Sequence, residues 1–262
     1  MNKSYNYLLI GILVENSAGW LRYVFEKRCH SPGAQPPSHL TQHLIPDPTR
    51  LQTPMVENPR LPRSFFTRST LQVARDLLGA RLIRVEDGAR IGGVIIEAEA
   101  YRGEEDLGCH AKAGRTPRTQ IMYGPPGHAY VYFTYGVHWM LNFVTEGEGF
   151  PAAVLIRAIQ PTEGVQIIAS RRDNQPRQHW TDGPAKICQA LAIDGGFNGR
   201  DLCAPDAQLF VESGNPIPDQ SVTTGPRVGF NNVPEPWLSI PWRFRVVPEY
   251  ITTESAENTE KK

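Results

Sequence analysis

Apolar positions along this chain follow two periods, and the changes between them divide it into elements. After Pro62, "SFFTRSTLQVARDLLG" sets Leu71, Val73, Ala74, Leu77 and Leu78 at helical spacing. Ser69 or Thr70 is positioned as a cap and Gly79 as the stop. Apolar runs of strand length follow: "RLIRV", "GGVIIEAEAY", "HAYVYFTY", "VHWMLNFVT" and "PAAVLIRAI". "PTEGVQIIASRR" and "PAKICQALAI" read as helices, and "WRFRVV" as a last strand. Strands in the middle with helices around them predict one mixed α/β or α+β domain. Residues 31–62 carry recurrent proline and no apolar period, so they read as a linker or disordered arm. The polar tail "TTESAENTEKK" is expected to fray.

Two strand-like segments break their own pattern. In "GVIIEAEAYRG" a buried strand is interrupted by Glu97 and Glu99. At period two these acids share a face with Tyr101, while Ala98 and Ala100 take the other and allow close packing. Such a pair is either a set of structural ion pairs or an acid–base site in which one carboxyl has a raised pKa. In "AYVYFTYGVHWMLNFV" two strands meet around Gly136, which tolerates positive φ in a tight turn. Tyr135 then sits at the tip, where a ring contributes little to a core but suits a wedge entering a base stack. Tyr130 and Tyr132 share a face further down.

Charge changes the picture only locally. The chain has 262 residues, is 40% hydrophobic and carries a formal net charge of zero, so overall charge does not point to a polyanionic partner. Between Asp106 and Glu146, however, there is no acidic residue. That stretch holds Lys112, Arg115 and Arg118 among many aromatics, a combination suited to phosphates and stacked bases. In the loop "GRTPR", Arg115, Thr116 and Arg118 supply donors suited to phosphate oxygens. His110, His128 and His138 lack the spacing of a zinc site, and no metal is expected. The four cysteines form no CxxC and suggest a reducing compartment. "YLLIGILV" is too short to span a membrane, is closed by Glu15 and precedes no clear cleavage site, so it is not read as a leader.

Together these segments resemble the alkyladenine (methylpurine, 3-methyladenine) DNA glycosylase family. The resemblance is carried in order by "ARDLLGARLIR", "EAEAYRGEEDLGCHA", "RTPR", "GPPGHAYVYFTYGVHWMLNFV", "AAVLIRAIQPTEG", "DGPAKICQALAI" and "RVG", over about residues 64–248. It implies an α+β fold: a single mixed domain with a curved, mainly antiparallel sheet, flanking helices and a protruding β-hairpin. The expected organisation is an N-terminal extension at 1–62, a catalytic domain at 63–250 and the tail at 251–262.

The resemblance also implies roles. Glu99 matches a general base that activates water, Arg157 an arginine that holds that water, and Val228 a residue whose backbone carbonyl contacts it. Tyr101, His110 and Tyr132 match the pocket around an extruded base. Asn142 matches an asparagine that disfavours the 2-amino group of guanine, and Tyr135 the ring that fills the gap in the duplex. Arg115, Thr116 and Arg118 are expected at DNA phosphates, with Lys186 a structural or phosphate contact, and Tyr130 is left to packing. Thr119 departs from the family, which usually carries asparagine there, and a local effect on the loop is expected. The implied activity is hydrolytic release of damaged purines from double-stranded DNA inside the cell, by a monomer without cofactor, membrane attachment or strand cleavage. Two other readings fit parts of the pattern. One is a non-catalytic nucleic-acid-binding module; the other is a small-molecule hydrolase or transferase using Glu97 and Glu99. Neither accounts for Tyr135 and the basic loop together.

Overall fold

The computed structural model describes residues 58–230 and 232–251, together with the backbone of two strands, β1 (Ile10–Glu15) and β2 (Leu21–Glu26). These two pair antiparallel and belong to a separate compact unit, Met1–Met55. The proline-rich arm lies, up to residue 57, outside the described residues, as does the tail from 252.

In the larger unit two short helices, α1 (Arg63–Phe66) and α2 (Thr70–Asp76), lead into β3 (Arg81–Glu86) and β4 (Ala89–Arg102). Then come β5 (Ala129–Thr134), β6 (His138–Val144), β7 (Ala152–Glu163), α3 (Val165–Arg171) and α4 (Pro184–Ala190). The last strands are β8 (Leu209–Glu212), β9 (Val222–Gly225) and β10 (Arg243–Val246). Strands β3–β10 form one eight-stranded sheet in the order β5-β6-β7-β4-β10-β9, with β3 joining β4 to β8, and every pairing is antiparallel. The α+β class expected from the resemblance is therefore the class observed.

Strand β4 organises the sheet. One edge pairs with β7 along nearly its whole length. The other pairs first with β3, through Ala89–Val94, and then with β10, through Glu97–Glu99. Its alternation works as the sequence suggested: Ala98 and Ala100 are fully buried in the main core with Val154, Ile156 and Phe143, while Glu97, Glu99 and Tyr101 face the opposite way. A smaller cluster, including Cys109, Met122, Tyr123 and Tyr130, packs on that opposite face with Tyr101 and Tyr132 against it.

Three local expectations are corrected. Pro161–Glu163 is not the start of a helix. It continues β7 because Gly93 and Gly92 pair with Pro161 and Glu163, and the helix begins only after Gly164. Helix α2 has Ser69 at its N-cap but no side-chain cap hydrogen bond; the Thr70 hydroxyl instead donates to Glu146 at 2.6 Å. Helix α4 stops at Ala190, before the expected end of "PAKICQALAI". Strands β8 and β9 were not expected at all.

Candidate active site

The pairing of β4 with β7 is irregular where the glutamates lie. Ile95 pairs with Ile159, Glu97 with Ala158 and Ala98 with Ile156, so Ile96 and Arg157 are each left without a partner. Such bulges re-aim side chains and are common beside active sites. Here the irregularity brings the Arg157 guanidinium between the two acids, with Nε 3.0 Å from Glu97 Oε1 and 3.4 Å from Glu99 Oε1. Glu99 is 0% exposed. Its Oε1 accepts the Val228 amide N–H at 2.7 Å and its Oε2 accepts the Tyr101 hydroxyl at 2.8 Å. Val228 thus meets Glu99 through its amide, a group distinct from the carbonyl that the resemblance places at the water. Burial pushes the Glu99 carboxyl above its ordinary range, against the pull of Arg157 and the two hydrogen bonds. A carboxylate has about four acceptor sites, so Val228, Tyr101 and Arg157 do not use all of them.

Tyr101, Arg157 and Val228 also line a cavity of roughly 290 Å³. Its walls include the rings of Tyr101, His110, Tyr130, Tyr132 and Phe230. His110 and Tyr132 meet edge-on with ring centroids 4.5 Å apart, and Tyr130 tilts against Tyr132 at 5.3 Å. The Tyr130 hydroxyl lies 2.9 Å from His110 Nδ1, so this buried ring orients the histidine as well as packing. Burial, reinforced by the charges of Arg118 and Lys112, lowers His110 to about 4 and keeps it neutral near pH 7. Burial likewise raises the Tyr130 hydroxyl to about 12. Asn142, on β6, is buried in the same cavity and donates its side-chain amide to the Tyr130 carbonyl at 3.1 Å.

At the mouth of the cavity the β5–β6 hairpin turns. Val137 N–H donates to Thr134 O at 3.2 Å, and the two residues between, Tyr135 (φ +53°) and Gly136 (φ +69°), both have positive φ. This sign pattern matches the twist of a hairpin, is free for glycine and strained for tyrosine. Tyr135 is 84% exposed. The adjoining basic loop is closed by Thr119. Its hydroxyl accepts the Thr116 N–H at 2.8 Å and donates to Gly114 O at 2.8 Å. Arg118 lies over the Tyr132 ring at 5.0 Å and Arg115 over Tyr123 at 5.5 Å. Lys186 is not brought into this group: its ammonium pairs with Asp182 at 2.7 Å.

Residues 64–249 match the sequence model of the methylpurine-DNA glycosylase family. A protein of Methanocella arvoryzae is 47% identical over 187 residues, covering 71% of this chain and 92% of its own. One of Myxococcus xanthus is 46% identical over 186 residues, 71% of this chain and 89% of its own. One of Carboxydothermus hydrogenoformans is 43% identical over 184 residues, 70% and 93%. Each is named "Putative 3-methyladenine DNA glycosylase".

The chain belongs to the methylpurine-DNA glycosylase family. It is a DNA glycosylase, a hydrolase of N-glycosyl bonds with a role in base-excision repair.

Sequence reasoning missed one feature of the glycosylase's site, the anchor of the Val228 segment. Arg227 and Asp106, both fully buried, form a two-bond ion pair at 2.5 and 2.7 Å, and Arg227 stacks against Tyr101 and Phe230. Gly108 leaves room for this packing, since a Cβ there would come within 2.7 Å of Arg227 Nη2. Both residues stood in quoted motifs, "EEDLGCHA" and "RVG", but only the fold pairs them. Among the described residues no three His, Cys, Asp or Glu side chains converge as a metal site, and no helix is long and apolar enough to cross a membrane.

Proposed function

We propose that this glycosylase takes an alkylated or otherwise damaged purine, of the 3-methyladenine type, out of duplex DNA and hydrolyses its N-glycosidic bond with Glu99 as general base. The observation that carries the reading is the setting of Glu99: a fully buried carboxyl with a raised pKa, behind an aromatic cavity whose mouth lies beside an exposed tyrosine. A base inside a duplex is out of reach of water and must be extruded. Tyr135 enters the stack and holds the gap, while Arg115, Thr116 and Arg118 meet phosphates. Tyr101, His110 and Tyr132 receive the flipped ring. Positive charge on an alkylated purine strengthens its contact with tyrosine faces. Asn142, bound at the cavity wall, meets a substituent at purine C2 and disfavours guanine.

As the glycosidic bond lengthens, the sugar becomes cationic and the bonding pair leaves with the purine nitrogen. The Glu99 carboxylate faces that charge. It takes a proton from the water whose oxygen bonds to the anomeric carbon, while Arg157 and Val228 orient carboxylate and water. The products are free base and an abasic site. Among the described residues no lysine lines the cavity, and Lys186 is held by Asp182, which supports a monofunctional enzyme without strand cleavage. A monomer acting on DNA inside the cell, with residues 63–250 as the catalytic domain, completes the reading.

The test is single-turnover base release from a duplex with one ethenoadenine or hypoxanthine, with abasic sites revealed by alkali. Wild type releases base and Glu99→Gln does not, although it still binds the lesion. Equal rates for the two proteins, or nicking before alkali, would sink the mechanism.

A further inference from the structure

Glu97 is used by none of the steps above, yet it makes the shorter contact to Arg157. We propose that Glu97 is a positioning residue for base release: by holding the Arg157 guanidinium at 3.0 Å, it keeps that cation from closing a tight pair with Glu99 and leaves Glu99 free to accept the proton of the attacking water. The inference rests on the reading of Glu99 as the base.

The geometry is specific. Because β4 and β7 each skip one residue in their pairing, Arg157 stands between carboxylates that share a face of β4, and its Nε reaches Glu97 first and Glu99 second. Glu97 is fixed from the other side as well, with Arg243 Nε of β10 at 3.9 Å from the same oxygen. The charged and titratable groups around Glu99 can be named strand by strand. Glu97 and Tyr101 lie on β4 itself, and Arg157 on β7. Arg243, on β10, is its register partner, Arg227 lies beyond the Tyr101 ring, and Tyr132 stands across the cavity.

Were Glu97 neutral, Glu99 would be the near carboxylate left to Arg157. An opposite charge closing onto a carboxylate favours its ionised form and makes it a weaker base. Loss of the Glu97 charge acts in the same direction. Both effects move Glu99 ionisation to lower pH.

Single-turnover release of hypoxanthine, followed from acid to neutral pH, tests this. In wild type the rate rises as Glu99 ionises. In Glu97→Gln that rise moves to lower pH by about one unit or more, and the plateau rate falls because the base is weaker. Glu97→Asp, which keeps the charge with a shorter reach, moves it less, and this variant carries the test alone if the glutamine variant does not fold. In an Arg157→Gln background the Glu97→Gln change moves the rise much less, by the direct effect of the lost charge alone. A merely structural role lowers the rate at every pH without moving the rise. A rise that stays put in both Glu97 variants overturns the proposal. So does a rise that moves equally with and without Arg157, because Glu97 then acts by its own charge. If wild type releases no base, or Glu99→Gln is as fast, the reading of Glu99 falls and this proposal with it.

Discussion

Strands β4 and β7 carry two arginine–glutamate clusters built from the same residue types, with opposite properties. In the first, Arg90 reaches Glu163 at 2.6 Å and Glu212 at 2.9 Å, and Arg81 adds a second cation to Glu163. Burial opposes ionisation of Glu163, but the hydrogen bonds from Arg90 and Arg81 outweigh it and hold the carboxyl below its ordinary range. In the second cluster the Arg157 guanidinium stands between Glu97 and Glu99, Glu99 is wholly buried, and burial wins, so its carboxyl is raised. The number of cations per acid and the depth of burial decide whether an Arg–Glu group on this sheet is a brace or a base.

The pH dependence of stability separates the two. A carboxyl raised in the folded state keeps its stabilising proton below the ordinary pKa and loses that contribution as pH climbs through the raised value. A lowered one contributes above the ordinary pKa and loses that as pH falls through the depressed value. Glu99 and Glu163 therefore impose opposite slopes.

The largest expected effect is on Glu99→Gln: base release falls by about 10²- to 10⁴-fold. The variant melts higher than wild type near neutral pH, and this gain shrinks as the solution is acidified. A variant less stable at neutral pH would mean that the site is a brace. Next comes Glu163→Gln, which loses about 1.5–3 kcal/mol in urea unfolding because charged hydrogen bonds are removed. Its base release per folded molecule is unchanged; a rate loss as deep as that of Glu99→Gln would erase the contrast.

Tyr135→Asn extends the comparison to a residue that packing does not hold. Asparagine tolerates positive φ better than tyrosine, so melting is unchanged or slightly higher. Base release drops by roughly tenfold as support for the flipped state is lost; an unchanged rate removes Tyr135 from the mechanism. The smallest effect concerns His110. Lowered to about 4 from an ordinary 6.5, it stays neutral in the folded chain while the unfolded chain takes up a proton. Stability thus declines as pH falls through that window, and His110→Gln flattens the decline. An NMR titration midpoint near the ordinary value would contradict the burial argument.

Much of this was legible in the sequence. Alternation along "GVIIEAEAY" set Glu97 and Glu99 on one face and the alanines in the core, because side-chain direction in a strand is a local property. Gly136 between two aromatic-rich runs marked the hairpin, and the missing acids between Asp106 and Glu146 marked the basic loop. Strands β8 and β9 were not legible. "LFVE" and "VTTG" are too short to show a period, and partners distant in sequence recruit them. "PTEG" looks like a helix start and is drawn into β7 by pairing with β4.

The sequence by itself determined which chemical groups exist and which way neighbouring ones point, and it carried the family resemblance. The tertiary structure alone decided what surrounds Glu99. Val228 lies 129 positions away along the chain, and Arg227 meets Asp106 across 121. Arg157 reaches the glutamates because each strand skips a residue in its pairing. Register and burial depend on the whole sheet packing at once, and a pKa follows from that environment.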